Sequence, residues 1–279
     1  MFSIGIDVGG TTVKVAAIRD GQLVATARSG KYVRPDAAQC AAAIRAACRD
    51  IAGPVHQIGL CVPGILDDKK QRIINSANLP GLNNVELPEL VRGAFGAGAP
   101  PPLIVNDTNA AAFDLYAARR FSGRLLVIAI GTGVGAAVLD DGRPLSIDGE
   151  SPGHLGQFDV SLEGQDVIGP DGGRGSLEGY IGSAALERTY GPSAAEQIQP
   201  EDSAFRSLVR AIRICHAIYR PHHVCLAGGV GIRLARLIEP LKTAVDTELT
   251  NIARRDWTLG TGDSDFHAAA GAARMAAVS

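Results

Sequence analysis

The sequence predicts an α/β fold built from short buried strands, Gly-rich turns and Ala-rich helices, and three observations carry this prediction. Hydrophobic residues make up 46% of the 279 residues, which is enough to bury a sizeable core. The 34 glycines cluster directly after apolar segments instead of spreading along a linker. One strand–turn–strand pattern occurs twice, which indicates two similar lobes.

The first lobe is predicted to open with three strands. Residues Phe2–Asp7 alternate in polarity and end at a glycine pair, as a strand does before a turn. Strands at Val13–Ile18 and Leu23–Ala27 follow and are joined by a turn at Arg19-Asp20-Gly21. The pattern then predicts, in order, a helix at Asp36–Ile51, a strand at Val55–Cys61, a strand at Leu103–Val105 and a helix from about Thr108 to Arg120.

The opening pattern returns in the second lobe, where strands at Leu125–Ile130 and Val134–Leu139 flank a glycine turn. An irregular segment at Ser146–Gly175 follows. The remaining predicted elements are a weak helix at Leu177–Tyr190, a strand at Val224–Ala227 and helices at Ser203–Tyr219, Ile232–Ile252 and Asp265–Ala277. We therefore expect an N-terminal lobe over residues 1–113 and a C-terminal lobe over residues 114–279, with the last helix packing back on the first lobe.

Charge and composition exclude several classes of protein. Lys and Arg number 27 against 29 Asp and Glu, and no basic block occurs, which argues against a nucleic-acid partner. No stretch reaches the roughly 18 apolar residues of a membrane span, and the N-terminus does not have the pattern of a signal peptide. The five cysteines are scattered, as in proteins of a reducing compartment. The sequence thus predicts a cytoplasmic protein.

The segment Asp7–Lys14, which reads DVGGTTVK, lies between two predicted strands. Glycines at such a turn leave backbone amides open to a phosphate group, and threonines add hydroxyl donors. Asp7, at the end of its strand, is placed to hold Mg²⁺ through water. The groups that we expect to contact nucleotide phosphates are those of Gly9, Gly10, Thr11, Thr12 and Lys14. The alternative is a tight hairpin with an ordinary capping aspartate.

Two further glycine turns follow strands. Gly131-Thr132-Gly133 precedes a second strand, which favours a hairpin turn, whereas Gly228-Gly229 opens a helix and could bind a nucleotide at the helix N-terminus. Close packing of a helix on a strand would also explain the glycines at Gly228-Gly229. No Walker-type P-loop sequence occurs.

Asn106-Asp107 follows an apolar strand and precedes a helix. A carboxylate at this position can accept the proton of a hydroxyl that attacks phosphorus. An Asn-Asp pair is also a favoured helix cap, so the pair alone leaves both interpretations open.

Taken together, these motifs resemble the ROK family of sugar kinases, within the actin-like ATPase superfamily, along the whole chain. The resemblance rests on the motifs at Asp7–Lys14, Val62-Pro63-Gly64, Asn106–Ala111, Gly131–Gly135, Leu226–Val230 and Gly271-Ala272-Ala273. It implies a two-lobed actin-like (ribonuclease H-like) fold with the active site in the cleft between the lobes. It also implies ATP and Mg²⁺ as cofactors, a homodimer, Asp107 as the general base, and sugar contacts from Asn106 and Gly64. Gly131, Thr132 and Gly133 would contact the ATP phosphates, and Gly228 and Gly229 would lie against adenosine.

The chain departs from the family at the zinc motif. The family carries one His and three Cys as zinc ligands, and the corresponding positions here are Gln157, Gly169, Asp171 and Ser176. One carboxylate cannot close a tetrahedral zinc site. We therefore predict that structural zinc is absent and that the loop is held by its own hydrogen bonds.

The sugar contacts change as well. Of the family's residues around sugar carbons 1 to 3, only Glu178 persists, and His154 and Gln157 replace the others. Replacing an acceptor-only carboxylate by a donor reverses the hydrogen-bond polarity of the site. The sequence therefore predicts a kinase for the primary hydroxyl of a sugar or sugar-like molecule other than plain glucose. A non-catalytic sugar sensor of the same fold and an ATPase acting on a protein partner are the alternatives.

Overall fold

The computed structural model describes residues 1–51, 53–67, 69–76, 78–146, 154–170 and 172–279. The predicted mixed α/β class is confirmed. The strands are β1 (Phe2–Val8), β2 (Val13–Arg19), β3 (Gln22–Arg28), β4 (Gln57–Val62), β5 (Ile65–Leu66), β6 (Ile73–Asn75), β7 (Pro102–Asn106), β8 (Arg124–Ile130), β9 (Val134–Asp140), β10 (Arg143–Pro144), β11 (His223–Ala227) and β12 (Thr258–Thr261).

The α-helices are α1 (Ala37–Cys48), α2 (Leu87–Phe95), α3 (Asp107–Ala118), α4 (Leu177–Ile181), α5 (Ser183–Tyr190), α6 (Ala194–Gln197), α7 (Ser203–Tyr219), α8 (Gly228–Gly231), α9 (Ile238–Glu248) and α10 (His267–Val278). Short 3-10 turns lie at Pro80–Leu82, Leu155–Gln157 and Ile232–Leu237. Within the described ranges, no helix combines the length and apolar character needed to cross a membrane.

The chain divides into two compact units. The first is formed by Met1–Ala118 together with Phe266–Ser279, and the second by Arg119–Asp265. The sheet of the first unit has the strand order β3-β2-β1-β4-β7, and that of the second has the order β10-β9-β8-β11-β12. In each sheet the first three strands are antiparallel and the last three are parallel. The repeat in the sequence thus corresponds to one topology used twice.

Helix α10 packs against the first sheet at backbone distance. A Cβ atom built at Gly5, Gly59 or Gly271 would lie 1.7–2.0 Å from a backbone oxygen of α10 or α3. Only glycine allows backbones to approach so closely, on the strands at Gly5 and Gly59 and between α10 and α3 at Gly271. Helix α10 therefore packs on the sheet of the first unit, although in the sequence it follows the whole of the second unit.

A buried polar link also ties α10 to α3. The Nδ1 atom of His267 lies 2.7 Å from Oδ2 of Asp114, and Nε of Arg274 donates to Oδ1 of the same carboxylate at 2.7 Å. Arg274 also donates from Nη1 to the backbone oxygen of Gly21. The carboxylate of Asp114 thus has a partner on each oxygen, which offsets the free-energy cost of burying it.

Several predicted elements differ from the observed ones. The predicted helix at Leu177–Tyr190 is two helices, because Gly182 between them has an extended backbone with φ −62° and ψ 151°. The predicted helix at Ile232–Ile252 begins as a 3-10 turn, and α9 starts only at Ile238. Pro240 lacks an N–H and is tolerated only in the first turn of a helix, which accounts for the late start. The sequence did not predict α2, α6, β5, β6, β10 or β12.

Candidate active site

Three parallel strands of the first unit end at one edge of its sheet. Asp7 of β1 is opposite Cys61 of β4, and Val62 of β4 is opposite Asn106 of β7. Gly64 follows the end of β4 after Pro63, and Asp107 follows β7 directly. In sheets of this kind ligands bind outside the carboxyl ends of the parallel strands. The topology therefore gathers at one edge the residues for which the sequence predicted sugar and metal contacts in this unit.

Asp107 is the first residue of α3 and is partly buried. Its Oδ1 atom accepts a hydrogen bond from the backbone amide of Thr108 at 2.7 Å. Burial, followed by the nearby carboxylate of Asp7, raises the pKa of Asp107 to about 6, against the opposing effects of Thr108 and Lys14. A carboxylate with this pKa is ionised at neutral pH and is a stronger base than an ordinary aspartate.

Asn106 acts as a cap for α3. Its Oδ1 atom accepts from the amides of Thr108 at 3.0 Å and Asn109 at 3.4 Å. The oxygen is thus used within the fold, and the Nδ2 group is the part of the side chain left to donate to a ligand. The Oδ1 atom of Asn109 is buried and has no hydrogen-bond partner among the described residues. Asn109 belongs to the motif at Asn106–Ala111, but the sequence analysis predicted no function for this residue.

The first glycine turn connects β1 to β2. The amide of Gly9 donates to the backbone oxygen of Thr12 at 3.1 Å and closes the turn. No hydrogen bond of the amides of Gly10, Thr11 and Thr12 is found within the part of the chain that the structure describes. Three open amides at a strand end are a suitable cradle for the oxygens of a phosphate group.

Asp7 and Lys14 are a cross-strand pair at the base of this turn. The Nζ atom of Lys14 lies 3.6 Å from Oδ2 of Asp7, and Asp7 is buried. An oxygen ligand beside open amides suits a Mg²⁺ ion bound to phosphates. Asp7 is therefore the residue of this unit that would hold the metal.

The second glycine turn connects β8 to β9. The amide of Gly131 donates to the backbone oxygen of Gly133 at 2.9 Å, and the backbone oxygen of Gly131 accepts from the amide of Ser183 at 2.9 Å. Thr132 is exposed at the tip of the turn. The turn is therefore held at its base while its tip remains accessible.

Glu178 lies against this second turn. Its Oε2 atom accepts from the amide of Val134 at 2.7 Å, and a Cβ built at Gly133 would lie 2.9 Å from the same oxygen. The sequence predicted that Glu178 binds sugar, and the structure gives this carboxylate at least one partner within the protein. Sequence spacing could not reveal this bond, because Val134 and Glu178 are 44 residues apart.

The segment with His154 and Gln157 lies beside Glu178. Both residues are exposed; His154 precedes the 3-10 turn at Leu155–Gln157, and Gln157 is the last residue of this turn. A Cβ built at Gly156 would lie 3.0 Å from Oε2 of Glu178. The structure therefore brings together, within the second unit, the three residues that the sequence associated with specificity.

Gly228 and Gly229 begin α8 after β11. Gly228 has φ +77°, and a Cβ there would lie 2.5 Å from the backbone oxygen of Ile130. Close packing thus requires this glycine whether or not it contacts adenosine. A Cβ at Gly229 would meet nothing within 4 Å, so this position is open to a ligand.

Hydrogen bonds hold the loop that corresponds to the family's zinc motif. The Oδ1 atom of Asp159 accepts from the amide and the hydroxyl of Ser161 at 2.9 and 2.5 Å. The amide of Val160 donates to the backbone oxygen of Gly175, and the hydroxyl of Ser176 accepts from the amide of Gly179 at the start of α4. Within the described ranges no cluster of three or more His, Cys, Asp or Glu side chains suits a metal. Asp171 lies outside the described residues.

Known proteins of this fold include sugar kinases. The structure aligns with a glucokinase from Streptomyces griseus, solved with glucose and AMPPNP, at a TM-score of 0.77 and 18% identity over all of both chains. It aligns with a hexokinase from Thermus thermophilus at a TM-score of 0.75 and 24% identity, over 100% of this chain and 98% of that one. At these identities the likeness confirms the predicted fold class.

The chain matches the ROK family over residues 3–278 and belongs to it. Among curated relatives, N-acetylmannosamine kinase of Salmonella typhimurium strain LT2 is 31% identical over 160 residues, which are 56% of this chain and 53% of that protein. The corresponding kinase of Citrobacter koseri is 30% identical over 183 residues, which are 64% of this chain and 60% of that protein. The matches thus span little more than half the length of these relatives.

Proposed function

We propose that the protein is an ATP- and Mg²⁺-dependent kinase that phosphorylates a primary hydroxyl of a sugar or sugar-like molecule. The observation that carries the proposal is Asp107, a carboxylate of raised pKa at a strand–helix junction beside Asp7 and the first glycine turn. The open amides of this turn and the carboxylate of Asp7 suit a phosphate chain with a divalent cation. The kinases among its relatives support the same class of reaction.

In the proposed reaction the substrate oxygen attacks the γ-phosphorus of ATP and forms a new O–P bond. The bond from this phosphorus to the β,γ-bridging oxygen breaks, and ADP leaves. Asp107 accepts the proton of the attacking hydroxyl, while Asn106 and Gly64 orient the sugar. When bound, Mg²⁺ would neutralise part of the phosphate charge. Gly131, Thr132 and Gly133 are proposed phosphate contacts, and Gly228 and Gly229 are proposed adenosine contacts.

The proposed substrate is an amino sugar or another modified hexose in preference to plain glucose. His154 and Gln157 stand where the family carries an acidic residue and a zinc-ligand histidine, and both are exposed beside Glu178. A polar side chain that the bound sugar buries without giving it a hydrogen-bond partner can reject a close analogue by several kcal/mol. The partial relatedness to N-acetylmannosamine kinases makes this sugar the first to test.

The test is ADP release with Mg-ATP across N-acetylmannosamine, N-acetylglucosamine, mannose, fructose, glucose and a set of polyols. We expect selective turnover of one compound other than glucose. Preferred turnover of glucose would keep the kinase and contradict the specificity argument. Nucleotide binding without turnover of any compound would instead favour a non-catalytic sensor.

We also propose that the protein contains no structural zinc and works as a cytoplasmic homodimer. Support for the first part comes from the Asp159–Ser161 hydrogen bonds, which occupy the loop that holds zinc in the family. Metal analysis of the purified protein should find far less than one zinc per chain, and treatment with EDTA followed by added Mg²⁺ should restore full activity. Stoichiometric zinc would contradict this proposal, and light scattering would test the dimer.

A further inference from the structure

The segment Ser29–Tyr32, which follows β3, wraps the first glycine turn; we call it the bracing segment. The hydroxyl of Tyr32 donates to the backbone oxygen of Gly9 at 2.6 Å, and the amide of Tyr32 donates to the backbone oxygen of Thr11 at 2.9 Å. Ser29 exchanges two bonds with Val13, one through its hydroxyl and one through its amide, both at 2.9 Å. The bracing segment thus fixes the backbone at both ends of the turn.

These bonds determine where the open amides point. In a planar trans peptide group the C=O and the following N–H point in opposite directions. Holding the oxygen of Gly9 toward Tyr32 therefore directs the N–H of Gly10 to the opposite side. The oxygen of Thr11 is held by the amide of Tyr32, which likewise directs the N–H of Thr12 to the opposite side. Tyr32 holds one carbonyl through its hydroxyl and the other through its backbone amide, so each following amide is directed away from the group that binds its carbonyl.

We propose that Tyr32 is a positioning residue for nucleotide phosphates, which sets the Gly10 and Thr12 amides by hydrogen bonds to the preceding carbonyls. This inference rests on the proposed function, because it requires that the first glycine turn binds phosphate. It goes beyond the turn sequence, since Tyr32 belongs to no motif and lies 23 residues from Gly9. Amides fixed before binding need no reordering when the anion arrives, which favours affinity.

The phenol of Tyr32 is suited to a permanent donor. Its pKa lies above the ordinary range of a tyrosine, chiefly because the hydroxyl is buried and also because of Cys40 and the nearby Asp7. It therefore stays protonated at any working pH and keeps donating to the oxygen of Gly9. The ring is half-buried, so a phenylalanine would fill the same space without this hydrogen bond.

The test is the Tyr32→Phe variant, with Tyr190→Phe as the matched control. Tyr190 lies in the second unit, and its hydroxyl is paired with Asp202. Dissociation constants for ATP, ADP and adenosine are measured by calorimetry, together with KM for ATP and for the sugar. In Tyr32→Phe we expect ATP and ADP to bind about 3- to 10-fold more weakly, as loss of one hydrogen bond implies. Binding of adenosine and KM for the sugar should be unchanged.

The contrast between ATP and adenosine separates positioning from general damage. If Tyr32→Phe weakened the binding of adenosine and of ATP equally, or weakened neither, the inference would be overturned. It would also be overturned if Tyr190→Phe weakened ATP and ADP binding but not adenosine binding. If the wild-type protein binds ATP but phosphorylates no sugar, the proposed function fails while the binding comparison still decides the role of Tyr32. If the wild-type protein binds no nucleotide, both fail.

Discussion

At the scale of single residues, the chemistry depends on Asp107. We expect Asp107→Asn to lower kcat by about 10²- to 10⁴-fold, because an amide cannot accept the substrate proton. The amide oxygen can still accept from Thr108 as the carboxylate does, so α3 should remain capped. Steady-state kinetics and the dissociation constant for ATP check this. The exposed Glu89→Gln serves as the control, and a fall in kcat of less than tenfold would remove Asp107 from the role of base.

The raised pKa of Asp107 predicts the acid limb of the rate profile. The base must be ionised, so kcat/KM should fall as the pH drops below about 6. Lys14 lowers this pKa, and Lys14→Met should therefore move the limb to higher pH. Lys14→Arg keeps the charge and should leave the limb near its original position. A limb that stays unchanged or moves to lower pH in Lys14→Met would contradict the assignment.

The sequence located the two carboxylates because strand ends and helix starts are marked by local patterns. It left open whether Asn106 is a cap or a ligand, and the structure shows a cap through its oxygen. Neither the bond between Tyr32 and Gly9 nor that between Glu178 and Val134 could be predicted. Both join residues far apart in sequence; no motif marks Tyr32, and the motif that contains Glu178 assigns it to the sugar and gives no sign of its bond to Val134.

At the scale of elements, α10 lies in very close contact with both the first sheet and α3, and its closest approach is to α3. Gly271→Ala would place a Cβ 1.7 Å from the backbone oxygen of Ala110, which forces the helices apart. We expect a loss of at least about 2 kcal/mol in the free energy of unfolding. Urea denaturation followed by circular dichroism measures it. Gly98→Ala is the control, since a Cβ at Gly98 would meet nothing within 4 Å, and equal stability of the two variants would contradict this packing argument.

Strands and helices with a clear period were predicted to within a few residues, and Ser203–Tyr219 matches α7 at both ends. The failures have local causes. Gly182 interrupts a predicted helix by adopting an extended backbone, and Pro240 delays the start of α9. The two-residue strand β5 is too short to show a period, so only its partner β6 and the surrounding packing define it.

At the scale of the whole molecule, stability should depend on pH through His216 in the second unit. Its ring is buried edge-on against Trp257, with centroids 4.4 Å apart, and neither ring nitrogen has a partner among the described residues. Burial lowers the pKa of His216 to about 4, with Lys242 and Arg254 acting in the same direction and Asp246 opposing them.

The unfolded chain binds this proton near pH 6.5, whereas the folded protein resists it until about pH 4. The contribution of His216 is therefore complete above pH 6.5 and is lost as the pH falls toward 4, by about 3 kcal/mol in total. Trp257 is the single tryptophan, so its fluorescence during urea unfolding reports on this unit. His216→Leu should remove much of the pH dependence of the free energy of unfolding, while a substitution at an exposed histidine, His154→Gln, should retain it. If this free energy changed equally with pH in the wild-type protein and both variants, the assignment to His216 would be contradicted.

The discontinuity of the first unit bears on how the chain is made. Residues 1–118 leave the ribosome first, yet the helix that covers Gly5 and Gly59 belongs to residues 266–279. At about 5–20 residues per second, this gap in synthesis lasts about 7–30 s. The contiguous second unit can close on itself during that interval, while the nascent first sheet waits with its glycine face uncovered. The unit that is translated first is therefore the one completed last.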